Sequence, residues 1–188
     1  MCGRFYLDPE DIREARESFN NLKKKEYSPG MEILYREEID YRTDMWGIKV
    51  DFMNRPIINS RIEKIYPHGF FMEDFEERRI LIPASSFYEW KKSGKTNTRY
   101  EIGLKDRPYF YLGGLYRLNE EGNRELSILT GASFGEMETI HHRMPIILRP
   151  DEGDAFLKES PEILFKELQK IKPEFSFKQK DPEQLRFI

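Results

Sequence analysis

The run Arg79-Ile80-Leu81-Ile82-Pro83-Ala84-Ser85-Ser86-Phe87-Tyr88-Glu89-Trp90 decides the fold class. Its β-branched and aromatic content predicts a strand over 79–83 and another over 87–90. Further strands are predicted over 99–104, 109–115 and 125–130, with turn signals at Ser93-Gly94 and Glu121-Gly122-Asn123 between them. Strands spaced this closely imply a mainly antiparallel, curved, barrel-like sheet. With helices on its flanks the fold class is α+β.

Upstream, a short strand over 3–7 leads into Asp8-Pro9-Glu10-Asp11, which has the form of an N-cap, a proline at the first helical position and an acidic first turn. Ile12, Ala15, Phe19 and Leu22 then recur at helical spacing, predicting an amphipathic helix that ends near Lys23. Tyr27-Ser28-Pro29-Gly30 is a turn, and short extended pieces follow at 33–35 and 44–50. Downstream, Ile146 to Leu148 read as a strand, 150–158 and 160–171 as helices, and 174–177 as a last strand. The second helix carries Ile163, Leu164, Leu168 and Ile171 on its inner side. Repeats and linkers are absent, so 1–188 reads as a single domain.

The 188 residues are 38% hydrophobic and 35% charged, and 14 Phe with 10 Tyr supply large apolar faces for a folded core. A single cysteine forms no internal disulfide, and no signal segment or long apolar run is evident. These features predict a cytoplasmic protein without membrane contact. One Cys and three His (His68, His141, His142) lack ligand-pair spacing, so neither a metal nor a cofactor is expected. A net charge of −3 does not advertise nucleic-acid binding, although a local basic groove matters more than the total.

Four places carry chemistry. Cys2 follows the initiator methionine, and its small side chain permits Met removal, which would leave an α-amine and a thiol on adjacent carbons. Such a group attacks amides through sulfur, or condenses with an aldehyde as an imine and then closes a thiazolidine ring. Cys2 also fits a small apolar residue opening a buried strand. Asn59 and Arg61, two apart, would emerge on one face of an extended segment, an amide beside a phosphate-gripping guanidinium. Glu89 sits inside an apolar and aromatic segment, where desolvation suits a general acid; it also fits a strand-end acid facing water. In Ile140-His141-His142-Arg143-Met144-Pro145, a histidine can move protons while Arg143 binds an anion or braces a carboxylate. Adjacent histidines on a strand face opposite ways, so at most one belongs to a site.

Together these segments resemble the SRAP family, the SOS response-associated peptidase-like proteins that include sensors of abasic DNA. The resemblance rests on Met1-Cys2-Gly3-Arg4-Phe5, on Asn59-Ser60-Arg61-Ile62-Glu63 for the family's N-x-R-x-E run, on residues 80–90 for its I-P-x-x-G/S-F-Y-E-W segment, and on residues 140–145 for its I-H-x-R-M-P. All four motifs occur in the family's order. The resemblance implies Cys2 as the nucleophile, Asn59 as the group orienting its amine, Glu89 as acid/base and His141 as a second proton-transfer group. It implies DNA contacts from Arg4, Arg61, Arg143 and Trp46, the last resembling the family's W-G element; core packing of Trp46 fits equally. The chain departs at Tyr27-Ser28-Pro29-Gly30, shortened where many members carry Tyr-Asn-x-x-Pro.

The function implied is capture of abasic sites in single-stranded DNA by a monomer, through a thiazolidine crosslink at Cys2. Two rivals stand beside it: an N-terminal-nucleophile cysteine peptidase or amidohydrolase, and a module that binds single-stranded DNA without a covalent bond. DNA binding would place a cytoplasmic protein on the nucleoid.

Overall fold

The structure, a computed structural model, describes residues 2–12 and 23–180. Strands β1 (Phe5–Leu7), β2 (Lys25–Tyr27), β3 (Glu32–Glu37), β4 (Asp40–Trp46) and β5 (Asn59–Arg61) precede the short helix α1 (Met72–Glu77). After it come β6 (Arg79–Ala84), β7 (Ser86–Ser93), β8 (Thr96–Leu104), β9 (Phe110–Leu118) and β10 (Arg124–Ala132). The chain continues through β11 (Arg143–Pro145), β12 (Ile147–Leu148), α2 (Gly153–Lys158), α3 (Pro161–Leu168) and β13 (Phe175–Gln179).

Five strands close on themselves: β10 pairs with β4, β4 with β3, β3 with β6, β6 with β9, and β9 again with β10. Closure leaves no open edge around this ring. The pairings are antiparallel except those of β10 with β4 and β5. A second sheet runs in the order β13-β8-β7-β1-β2, antiparallel throughout. The mainly antiparallel, barrel-like α+β architecture expected from the sequence is the one observed.

Alternation along β6 shows how the core divides. Ile80, Ile82 and Ala84 join an apolar cluster that ties the barrel to the second sheet through Phe5, Leu7 and Phe87, whereas Leu81 points the other way. Trp46 is wholly buried in the first cluster, its ring 5.6 Å from that of Phe5, which stacks on Tyr27 at 5.0 Å. Leu81, Tyr111 and Leu115 form the second cluster with Phe75 of α1, Phe156 of α2, and Leu164 and Leu168 of α3. Burying each of these large side chains contributes roughly 1.5–3 kcal/mol.

Two glycines allow close approach. At Gly114 on β9, a Cβ would lie 2.9 Å from Ile82 Cδ1 and 3.0 Å from the Ser127 carbonyl oxygen, so only hydrogen fits between the flanking strands. Gly47 has φ +136°, and a Cβ there would come within 2.9 Å of Pro56 Cβ. That close crossing lets Ile48 pair with Ile57 and turns the chain back toward β10. The extended piece expected over 44–50 therefore ends at Trp46.

Asp8 caps as its sequence predicts, accepting from the Glu10 N–H at 3.0 Å over a 3-10 turn at Pro9–Asp11. The predicted helix beyond it falls largely on residues 13–22, outside the described residues. Of the C-terminal helices, the first is a 3-10 turn over Pro150–Glu152 followed by α2, and the second is shorter than expected. No sequence signal announced α1, whose six residues are too few to establish a period. No helix among the described residues is long and apolar enough to cross a membrane.

Arg79 holds the helical side together. Buried at 7% exposure, it donates to the carbonyls of Phe75 at the end of α1 and of Phe156, Leu157 and Glu159 at the end of α2, at 2.6–3.0 Å. Its charge sits where two helix C-termini present unmatched carbonyls. Replacing Arg79 with Met leaves these acceptors unmet and is expected to cost about 3 kcal/mol, read as a lower urea midpoint. An unchanged midpoint would show that the carbonyls find other donors.

Candidate active site

The three residues of β5 lie parallel to β10, with Asn59 opposite Ile128, Ser60 opposite Leu129 and Arg61 opposite Thr130. Alternation sends Ser60 inward, where its hydroxyl meets that of Ser127 at 2.9 Å, and leaves Asn59 and Arg61 on the other face. Asn59 Nδ2 donates to the Cys2 carbonyl at 2.9 Å, linking the barrel to the segment that enters the second sheet. Its Oδ1 is buried and has no hydrogen-bond partner among the described residues. Such an unmet acceptor costs about 1–3 kcal/mol.

Glu89 comes to this seam from the second sheet. On β7, Tyr88 and Trp90 face outward beneath the Arg99 guanidinium, so Phe87 and Glu89 face inward, and Glu89 is only 2% exposed. The strand-end reading of Glu89 as a water-facing acid is thus incorrect. β1 pairs with β7 as Phe5 opposite Phe87, and the Tyr88 N–H donates to the Arg4 carbonyl. The same register carried two residues further sets Gly3 across from Glu89, next to Cys2.

Cys2 itself is wholly buried, its Sγ 3.7 Å from the Arg4 carbonyl oxygen. Burial pushes its thiol well above the ordinary range, and the negative charge of Glu89 pushes it further in the same direction. In a chain that still carries Met1, sulfur is therefore held as a thiol, and Cys2 behaves as the small core residue of its alternative reading.

The two histidines lie ahead of β11, in irregular backbone, and not on a strand. Their rings stack at 4.5 Å with 26° between planes, so the expectation that they face opposite ways is overturned. His141 Nδ1 lies 3.1 Å from the Arg143 N–H and 3.0 Å from the Arg143 carbonyl oxygen. As the neutral Nε2–H tautomer it accepts from the former, and with Nδ1 protonated it donates to the latter. Either protonation state finds a backbone partner, as a residue that gains and loses protons requires.

Arg143 braces a carboxylate and offers no free guanidinium face. It is 6% exposed, forks onto both oxygens of Glu63, and donates to the Thr130 carbonyl at 2.8 Å. Burial is the largest single influence and opposes the charge on Glu63, but the Arg143 bond, a backbone hydrogen bond and the charges of Arg143 and Arg61 together hold the carboxyl below its usual range. Arg143 as a direct DNA contact is thereby corrected. Arg61 remains exposed, close enough that its charge acts on both Glu63 and His142. Trp46 is corrected likewise: it is 0% exposed and its indole N–H donates to the Ile58 carbonyl at 2.9 Å, leaving no surface for DNA. Arg4 points to the outer face of the second sheet, paired with Glu26 at 2.8 Å and lying 6.0 Å from the Trp90 ring centroid, away from the face that Glu89 occupies.

Sequence reasoning gave no separate role to Glu63, Thr130 or His142. Glu63 had a readable signal in its place two residues after Arg61, whereas Thr130 becomes a partner of Arg143 only through the β10–β11 pairing. A cavity of about 460 Å³, lined by Ile62, Glu63, Phe134, Met144, Phe165 and Leu168 among others, touches this brace and includes none of Cys2, Asn59, Glu89 or His141.

Cys2, Asn59 and Glu89 thus meet where two sheets join, and the histidine pair lies within reach of the Arg61 charge from the same strand as Asn59. Residues 1–180 match the family model of the SOS response associated peptidase (SRAP), and the chain belongs to that family. It is 32% identical over 179 residues to the abasic site processing protein YoqW of Bacillus subtilis, a match covering 84% of this chain and 80% of the relative. The abasic site processing protein YedK of Escherichia coli is 26% identical over 190 residues, covering 91% and 85%. Among solved structures, a phage-related protein from Bordetella bronchiseptica shares the fold with a TM-score of 0.76 at 24% identity, covering 96% of this chain and 94% of that one. A protein from Bacteroides thetaiotaomicron does so with a TM-score of 0.78 at 19% identity, covering 95% and 91%.

The buried thiol predicts an alkaline dependence. Because the folded chain holds the Cys2 proton more tightly than the unfolded chain, its contribution is complete below the ordinary thiol value of 9.0 and is lost as pH rises above it. Tyr27 and Tyr35, also pushed up mainly by burial, act with the same sign. Denaturation midpoints of the parent should fall from about pH 8 to about pH 10.5, and Cys2→Ala should fall less steeply. Parallel curves would show that Cys2 ionises freely in the folded protein.

Proposed function

We propose that this protein captures abasic sites in single-stranded DNA, forming a thiazolidine crosslink through Cys2 once Met1 has been removed. The observation that carries the reading is the Asn59 amide: its donor holds the Cys2 carbonyl, and its buried acceptor has no partner among the described residues. An α-amine on Cys2 supplies the N–H donor that this acceptor lacks, and the bond would aim the nitrogen lone pair. The names of the relatives YoqW and YedK, abasic site processing proteins, support the substrate class.

The chemistry begins at nitrogen, which suits a thiol kept protonated. His141 gives a proton to the ring oxygen of the closed deoxyribose while the C1 hydroxyl proton passes to the Glu89 carboxylate, as C1 opens to the aldehyde. The neutral Cys2 amine adds to the aldehyde carbon, the resulting hydroxyl takes the proton back from Glu89 and leaves as water, and a protonated imine remains. Sulfur then adds to that carbon while its proton passes to the Glu89 carboxylate, and the imine nitrogen becomes a ring amine. The net change is loss of one water, and each step reverses with the same donors. The exposed Arg61 grips a backbone phosphate beside the lesion and favours approach of the strand.

The decisive experiment incubates the protein with an abasic oligonucleotide and looks for a heat-stable adduct of mass equal to both partners less water. Cys2→Ala should give none, and intact mass should show Met1 absent from the reactive chain. The burial of Cys2 favours one rival, noncovalent binding of single-stranded DNA; binding by the parent without any adduct would establish it. Asn59→Ala should slow adduct formation about 10–100-fold with little change in DNA affinity. Arg61→Ala should weaken binding across sequences and reduce the slope of log affinity against log salt by about 1.

A further inference from the structure

Nothing in the family motif gives a role to the residue after His141, yet here that residue is a second histidine laid against the first. We propose that His142 is a positioning residue that holds the His141 ring, and that the two imidazoles carry one proton between them during lesion capture. The inference rests on the reading above that His141 transfers protons to the opening sugar.

Three observations support it. The rings stack at 4.5 Å and 26° in irregular backbone, so each limits the rotation of the other. His141 is already fixed at one nitrogen, where Nδ1 meets the Arg143 backbone; a flat neighbour on its face removes the remaining freedom to swing. Finally, the surroundings oppose a second positive charge: Arg61 from β5, Arg143 from β11 and the chain's amino terminus all act on His142. Two carboxylates bear on this region: Glu63, which is occupied by the fork from Arg143, and Glu89, whose charge reaches Cys2.

The charge on His141 is the largest influence on His142, followed by its partial desolvation, and both hold its proton affinity below the ordinary imidazole range. His142 therefore remains a neutral stacking plate while its neighbour is charged. Below that range a second proton reaches His142, the two cations repel, and the stack opens. Loss of ring placement then adds to protonation of the Cys2 amine in slowing the reaction at low pH.

With only three histidines in the chain, the ring carbon protons can be followed individually by NMR. In the parent, His142 should titrate below the ordinary imidazole range, and the His141 resonance should shift a second time as His142 protonates. In His142→Phe, which keeps the stack and removes the charge, that second shift should vanish and adduct formation should persist to lower pH. His142→Ala should slow adduct formation about tenfold at neutral pH, with His142→Phe restoring most of it. Independent titrations, with His141 curves that superimpose in parent and His142→Phe, would overturn the proposal. Equal rates in parent and His142→Ala would overturn it too. The NMR arm needs no DNA, so coupled titration without any adduct would sink the capture reading while leaving the paired imidazoles in place.

Discussion

The parallel pairing of β5 with β10 is the constraint on which the site depends. Three residues of strand would be marginal alone, but Ile48–Ile57 closes the loop before them and the Ser60–Ser127 hydroxyl contact anchors their inner face. With Ser60 fixed inward, alternation leaves Asn59 and Arg61 no choice of side. Asn59 can then reach across to the Cys2 carbonyl, so the seam between barrel and second sheet is joined by an amide and not only by apolar contact. A slip of one residue in β5 would exchange Ser60 for its neighbours and dismantle the constellation.

Around that seam, charge is managed by pairing. Arg143 and Glu63 neutralise one another in a fork whose Nη2 also donates to Thr130, and this brace fixes the backbone that clamps His141. Arg4 and Arg99 share Glu26 on the outer face of the second sheet, over Trp90. Among the motif arginines, this leaves Arg61 as the exposed cation beside the histidines. Basic residues that share a sequence neighbourhood with a site thus divide into one available for an anion and others committed to holding strands.

The burial of Cys2 separates the two nucleophiles of a leading cysteine. Its sulfur is kept protonated by a dry environment and by the Glu89 carboxylate, whereas its carbonyl is held by an amide whose own acceptor has no partner among the described residues. Capture that begins at nitrogen and ends at sulfur is compatible with that difference. Thiolate-first attack on an amide is not favoured by it.

Much of this was legible before any coordinates. The strands over 79–83, 99–104 and 125–130 were readable because β-branched and aromatic residues recur in short runs between Gly-containing turns, and that spacing restricts the chain to a curved antiparallel sheet. Cys2, Asn59, Glu89 and His141 were readable as chemistry in motif order. Sequence alone could not assign facing, since the direction of a side chain depends on which strand lies beside it. Trp46 and Arg143 read equally well as DNA contacts and as structure until burial decided for structure. The histidine pair was misjudged because the period-two rule holds only inside a strand, and β11 begins one residue after His142. Residue types and their order along the chain determined the reactions available to this protein; the register of β5 on β10 and of β1 on β7, which local sequence does not encode, decided which groups meet.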